Sequence, residues 1–299
     1  MLTQPSPNRE PTWKAIVRLL RWDKPTGRFI LMIPALWAVF LAAHHQASGQ
    51  LPPWLLVGVI IVGSVTTSAA GCVVNDLWDR NIDPKVNRTK QRPLASRALS
   101  VKTGVVVLLV ALACAWGLSL YLNPFSFWLC VAAVPVILLY PAAKRVFPVP
   151  QLVLSIAWGF AVLISWSAVT RGLQPAVWPL WGATVLWTLG FDTVYAMADR
   201  EDDRRIGVNS SALFFGKRSA EAVGVFFAAT AALLFVTGWW LNLGWMYWVT
   251  WAVALPVWGW EYSELRRSNP HPSLYGKVFR QNVQLGFWLL FGMILGSQL

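Results

Sequence analysis

The chain has 299 residues, 56% of them hydrophobic and only 13% charged, with 20 tryptophans and a mean hydropathy of +0.51. That balance excludes an ordinary soluble domain. The formal net charge of +12 is explained by membrane topology and anionic headgroups, not by a nucleic-acid footprint.

In chain order, residues 1–26 are polar, proline-bearing and charged, with no cleavable signal or organellar presequence visible. Within this expected cytoplasmic segment, "TWKAIVRLLRWD" (12–23) predicts a short amphipathic helix on the membrane surface. Apolar runs follow at 27–46, 54–74, 103–122, 124–143, 150–170, 176–198, 219–243, 244–263 and 283–298. Each is long enough to span a hydrocarbon core, and backbone groups in lipid must be satisfied within the segment, so each is read as a helix. Unbroken apolarity, without a period of two, excludes a transmembrane barrel. The expected fold is all-α: one polytopic membrane domain over 1–299 with about nine transmembrane helices. Every Lys and Arg except Arg171 falls on one side of this arrangement. The positive-inside rule places that side in the cytoplasm. Cys72, Cys114 and Cys130 lie inside spans with no metal spacing and read as small apolar filler.

All 13 acidic residues belong to the same side, and most form two clusters at the ends of the second and sixth runs. In "NDLWDRNID" (75–83), Asn75, Asp79 and Asp83 follow i, i+4, i+8, and Asp76 precedes Asp79 and Asp83 by three and seven. In "DTVYAMADREDDRR" (192–205), Asp192, Tyr195, Asp199 and Asp203 follow i, i+3, i+7, i+11, with Glu201 and Asp202 beside them. On a helix each set shares one face, and Asp192 sits roughly 10 Å inside the helix end at about 1.5 Å per residue. Stacked carboxylates repel one another and call for a cation. Hard oxygen ligands on two opposing stripes suit Mg²⁺, which completes its shell with waters and substrate phosphate oxygens. Each cluster is followed by basic residues, Arg88, Lys90 and Arg92 in one case, Arg204 and Arg205 in the other. One such cluster reads equally well as a solvated helix end. Two, each with its own basic train, fit a polyanion that arrives with its metal. "YPAAKR" (140–145) places Tyr140 and Lys144 at i, i+4 with Arg145 adjacent. Alone it reads as an interfacial stop; on the same side as both acid clusters, it joins the candidate site.

These residues resemble the UbiA superfamily of intramembrane aromatic prenyltransferases. "NDLWDRNID" and "VNRTKQRPL" are similar to its N-D-x-x-D-x-x-x-D signature and the R-T-x-x-R-P-L continuation. "DREDD" (199–203) is similar to its second acidic motif, and "YPAAK" to its Y-x-x-x-K element. "RWDKPTGRFILMIPALWA" (21–38) and "YPAAKRVFPVPQLVLSIAWG" (140–159) resemble the 4-hydroxybenzoate polyprenyltransferase branch.

The resemblance implies nine helices around a central cavity open laterally to lipid. It further implies Mg²⁺-dependent transfer of a polyprenyl group from its diphosphate to 4-hydroxybenzoate, in ubiquinone or plastoquinone biosynthesis. The site would face the cytoplasm of a bacterial inner membrane or a cyanobacterial-type membrane. Carried over by position, Asn75, Asp79, Asp83, Asp199 and Asp203 would hold the metal, with Asp76 and Asp202 at neighbouring motif positions. Arg88, Arg92 and Lys144 would meet the diphosphate rather than balance the aspartates, and Arg145 the acceptor carboxylate. Tyr140 and Tyr195 would face the carbocation. Asp199, on one stripe with Tyr195 and Asp192, would be the catalytic group that polarises the phenol or takes the ring proton. Three other readings stay open at this stage. A different acceptor (homogentisate, naphthoate or a chlorophyllide) would emerge from an acceptor panel. A membrane terpene synthase would form product without any phenol. A transporter would move prenyl diphosphate without turnover, although alternating access calls for polar groups near the midplane.

Overall fold

The computed structural model describes residues 10–23, 26–86, 88–268 and 270–299. Parts of the predicted N-terminal segment, residues 1–9, 24 and 25, lie outside them. Among the described residues every regular element is helical. A short α1 (Thr12–Leu19) precedes α2 (Thr26–Gln46), α3 (Trp54–Asp79), α4 (Val101–Ser119), α5 (Pro124–Val146), α6 (Pro150–Thr170) and α7 (Val177–Ile206). A five-residue α8 (Ser211–Phe215) leads into α9 (Ser219–Trp240), α10 (Trp245–Leu265) and α11 (Ser273–Gly296).

Local signals account for several of the boundaries. Ser100 and Asn123 cap α4 and α5 by accepting from the backbone N–H of Thr103 and Ser126. Pro124 and Pro150 open α5 and α6, where a missing N–H costs nothing. Gly207 ends α7 in the left-handed region at φ 77°.

Seven of the long helices (α2 to α6, α9 and α11) are long and apolar enough to cross a membrane. The other two fall short through composition. α7 runs eight residues past the predicted 176–198, straight through its acid cluster, and α10 mixes tryptophans with Tyr247, Glu261, Tyr262 and Glu264. α11 also starts well before the predicted 283, at Ser273, because it carries its charges inside the helix. Lys277 Nζ lies 4.3 Å from the Trp260 ring centroid, a contact that lets an ammonium sit against an apolar neighbour.

α2 is apolar on every side and buried against α3, α6 and α11. Helices α7, α9, α10 and α11 form a solid half joined by ring contacts, with Phe191 edge-on to Phe279 at 5.8 Å and Phe227 stacked on Trp258 at 5.8 Å, and Trp187 stacks on Trp37 of α2 at 5.1 Å. Gly190 lets α7 and α9 close up; a Cβ there would lie 2.5 Å from the Phe227 ring. The predicted surface helix is not merely adsorbed. Ala15 and Leu19 of α1 are buried against Val73, Leu94 and Leu99. Exposed tryptophans gather near both ends of the bundle, Trp54, Trp239 and Trp245 at one and Trp13, Trp22 and Trp78 at the other, as expected of interfacial belts.

Candidate active site

The last turn of α3 presents Asn75, Asp76 and Asp79, all buried. The helical face predicted to continue through Asp83 is interrupted: α3 stops at Asp79, and Asp83 opens a separate 3-10 turn, Asp83–Lys85. Pro84 suits the new turn: it sits in its first residues, where its missing N–H is not needed, and it has no N–H to return to the carbonyl of Arg80. The turn still buries Asp83 beside its partners. On α7 the helix is unbroken through Ile206, so Asp192, Tyr195, Asp199 and Asp203 form the expected stripe. Asp202 stands beside it and pairs with Arg205 at 2.7 Å.

The basic residues lie between these acids. Lys144 Nζ is 3.0 Å from Asp79 and 3.3 Å from Asn75 Oδ1, which also accepts from the Tyr140 hydroxyl at 3.0 Å. Arg92 lies 3.0 Å from Asp83 and 3.2 Å from Asp76. Arg145 approaches Asp79 at 3.4 Å and packs 5.6 Å from the Trp78 ring centroid. Arg88 crosses from the loop after α3 to α7. Its Nε donates to Asp199 at 3.0 Å, its Nη2 to the other carboxylate oxygen, and its guanidinium lies 4.8 Å from the Tyr195 ring centroid. Arg88 thus ties the loop after the first motif to the second, and Arg205 of α7 adds a bond to the Lys85 carbonyl at 3.0 Å.

In this structure Arg88, Arg92 and Lys144, expected to meet the diphosphate rather than balance the aspartates, are paired with aspartates. Charges half-withdrawn from water cost several kcal/mol each when left alone, so the nearest opposite charges pair. Among the described residues no three acidic, histidine or cysteine groups converge as a ready-made metal centre. The donor set nevertheless fits a hard divalent ion: it is all carboxylate and amide oxygen. Asp76 Oδ2 is also buried with no hydrogen-bond partner among the described residues. Burial raises the Asp83 pKa against the opposing charge of Arg92. Asp203, beyond the predicted span 176–198, is pushed up to about 6, by burial first and then by the Asp199 charge, against a hydrogen bond from Ser210.

Beside this polar cluster opens an apolar cavity of about 580 Å³ between α2 and α6. Its mouth is formed by Arg21, Asn75, Arg92 and Tyr140, and Gly63, Ser64, Thr67 and Gly71 on α3 leave it room. It occupies one half of the bundle and not the centre. Tyr140 lines it, with Trp116 and Trp158; Tyr195, Asp192, Asp199, Lys144, Arg88 and Arg145 do not. Tyr195 packs instead under Arg88 and against Phe279.

Two features escaped the sequence reading. Arg21, just after α1, pairs with Asp76 at 2.6 Å and lies in the left-handed region at φ 57°, an outlier for a bulky residue. No periodicity links positions 21 and 76, so only the "RWDKPTG" resemblance touches it. Glu261, placed by the sequence only among the acids of one side, is fully buried. Its carboxylate accepts two bonds from Asn282 Nδ2, at 3.1 and 2.9 Å, while Trp187 and Trp258 donate to Asn282 Oδ1 at 2.7 and 3.2 Å.

Fold and site together define a helical membrane protein with an apolar cavity and an ionic mouth, the form demanded by an amphiphile with a charged head. Residues 31–294 match the UbiA prenyltransferase family, and the chain belongs to that family. It is 66% identical over 291 residues to the 4-hydroxybenzoate solanesyltransferase of Synechocystis sp., covering 97% of this chain and 98% of that one. It is 36% identical over 283 residues to the 4-hydroxybenzoate octaprenyltransferase of Yersinia pseudotuberculosis, covering 95% and 96%. Among solved structures, a UbiA homologue from Aeropyrum pernix K1 superposes with a TM-score of 0.77 at 23% identity, over 89% of this chain and 97% of that one. A UbiA homologue from Archaeoglobus fulgidus bound to GPP and Mg²⁺ superposes with a TM-score of 0.69 at 17% identity, over 93% and 99%.

Proposed function

We propose that this chain transfers a polyprenyl group from polyprenyl diphosphate to the ring of 4-hydroxybenzoate, at the cytoplasmic face of the membrane it spans. The observation that carries this is the apolar cavity lined at one end by Arg21, Asn75 and Arg92, the residues through which it meets the ion pairs with Asp76 and Asp83. A prenyl tail gains about 0.8 kcal/mol per buried CH₂, and the clusters offer the cations and oxygens that a diphosphate and its Mg²⁺ require. The acceptor is supported by the near-full-length likeness to relatives named for 4-hydroxybenzoate. The side of the membrane rests on the charge asymmetry of the sequence.

Asn75, Asp79 and Asp83 from the end of α3, with Asp199 and Asp203 from α7, would hold Mg²⁺. When bound there it supplies Lewis acidity toward the diphosphate oxygens. In this reading Arg88, Arg92 and Lys144 exchange their aspartate partners for the arriving diphosphate, which positions the head and neutralises the charge that grows on it. The allylic C–O bond breaks with its electron pair leaving on the diphosphate. Tyr140 and Trp158, which line the cavity, present ring faces to the allylic cation. A C–C bond then forms at the ring carbon ortho to the hydroxyl, and the ring proton passes to Asp199. The test is incubation of purified protein with 4-hydroxybenzoate, Mg²⁺ and donors of graded length, with products identified by mass. Prenylated 4-hydroxybenzoate is expected, and absence of any aromatic product sinks the reading.

A further inference from the structure

Among the described residues two cations line the apolar cavity, Arg21 and Arg92, and no carboxylate lines it with them. An anion entering the cavity therefore meets positive charge unopposed in its walls, and apolar walls sharpen that field. Arg145, which the resemblance matches to the acceptor carboxylate, is placed elsewhere. Its guanidinium donates to the carbonyls of Pro141 and Trp78 and packs on the Trp78 ring, outside the cavity lining.

The two arginines are not equivalent. Arg92 is held by two carboxylates, Asp83 at 3.0 Å and Asp76 at 3.2 Å. Among the described residues Arg21 pairs with Asp76 alone, at 2.6 Å, and Asp76 keeps Arg92 when Arg21 turns to a ligand. The position of Arg21 is also imposed by the fold. It follows α1 with φ 57°, a conformation that bulky side chains rarely adopt and that persists only where the surroundings over-determine it. Here α1 is seated through Ala15 and Leu19 on Val73, Leu94 and Leu99, and Arg21 Nη1 donates to the Arg18 carbonyl at 3.0 Å. The guanidinium is thus presented at the mouth ready-made, as a planar fork suited to a carboxylate.

We infer that Arg21 binds the carboxylate of the aromatic acceptor and makes the protein selective for a phenol that carries one. This rests on the reading that the acceptor is 4-hydroxybenzoate, and it adds a specificity-determining residue to that reading. The para groups lie at opposite ends of the ring, so a carboxylate on Arg21 turns the hydroxyl and its ortho carbons away from that arginine. Arg88 and Lys144 do not line the cavity and stay with the diphosphate, so the two anions of the reaction have separate cations.

The test measures kcat/KM for 4-hydroxybenzoate and for its uncharged amide, 4-hydroxybenzamide, with a saturating geranyl donor, in wild type, Arg21→Gln and Arg21→Lys. Wild type is expected to favour the acid by about 10- to 100-fold, the range of a hydrogen bond to a charged group. Arg21→Gln is expected to erase most of that ratio by raising the KM for the acid while the donor KM stays near wild type. Arg21→Lys keeps the charge and is expected to keep the acid preferred. Damage to α1 or to Asp76 would lower both acceptors together and leave the ratio unchanged, and that outcome overturns the role of Arg21. A donor KM that rises as steeply as the acid KM overturns it too, by assigning Arg21 to the diphosphate. If Arg21→Gln does not turn over, equilibrium binding of labelled acid and amide to the purified protein gives the same ratio. No prenylated product from wild type overturns the functional reading and this inference with it, whereas an active wild type and an unchanged ratio in the variants overturn the inference alone.

Discussion

Arg88 links the loop after α3 to Asp199 on α7. Replacing it by Ala is expected to lower kcat/KM by about 10²–10³, the scale on which a lost charge-stabilising donor acts. Steady-state kinetics with a saturating acceptor measure this. Asp202 offers the contrast. It matches the motif, but its partner is the exposed Arg205, and such pairs contribute about 0–1 kcal/mol. Asp202→Asn is expected to stay within roughly ten-fold of wild type, whereas Asp79→Asn and Asp83→Asn fall by about 10² or more. Asp199→Asn is expected to weaken Mg²⁺ and donor binding and to lose turnover even when both are saturating; turnover restored at saturation would withdraw the proton-acceptor role. The motifs themselves were legible because helical spacing turns i, i+3 and i+4 into adjacency. The pairing of arginines with aspartates was not, because it depends on the path of residues 80–100 after α3 ends at Asp79. Arg21 lay beyond reach for the same reason: nothing local to position 21 points at Asp76.

Hydrophobic runs located the long helices, and the errors fell where charge sits inside a helix. α7 and α11 were cut short at their acidic and basic residues, yet both continue, because Arg88 neutralises Asp199 and Trp260 shelters Lys277. Glu261 shows the same limit more sharply. As a sequence position it is one acid near the end of a span; in the fold it ties α10 to α11 through Asn282, which in turn holds Trp187 of α7. Asn282→Leu would leave a buried carboxylate and two indole N–H groups without partners, at about 1–3 kcal/mol each. A lowered thermal midpoint in detergent is expected, larger than that of Gly190→Ala. The latter must displace the Phe227 ring, and overpacking of that kind costs about 1–3 kcal/mol. Equal midpoints for Asn282→Leu and wild type would show that the network contributes nothing to helix association.

At the level of the whole molecule the bundle divides into a hollow half, α2 to α6, and a solid half, α7 and α9 to α11. The resemblance implied a central cavity, and its displacement to one side follows from side-chain size: small residues line α3, while stacked rings fill the space around Trp187 and Trp258. The basic residues set the expected sidedness. With Cys72, Cys114 and Cys130 replaced, a thiol placed by Glu201→Cys or Arg267→Cys is expected to react with an impermeant maleimide from one face, and one placed by Gln174→Cys from the other. Labelling of all three from the same face would contradict the topology. What remains specific to this account is that the cations now bound to aspartates turn to the donor. The measurement that tests it most directly is an experimental structure with Mg²⁺ and a non-ionisable prenyl diphosphate analogue. The account predicts the diphosphate between the ends of α3 and α7, with Lys144 and Arg88 on its oxygens and no longer on Asp79 and Asp199, and the tail in the cavity between α2 and α6. A head bound elsewhere, or both ion pairs intact beside a bound head, would contradict it.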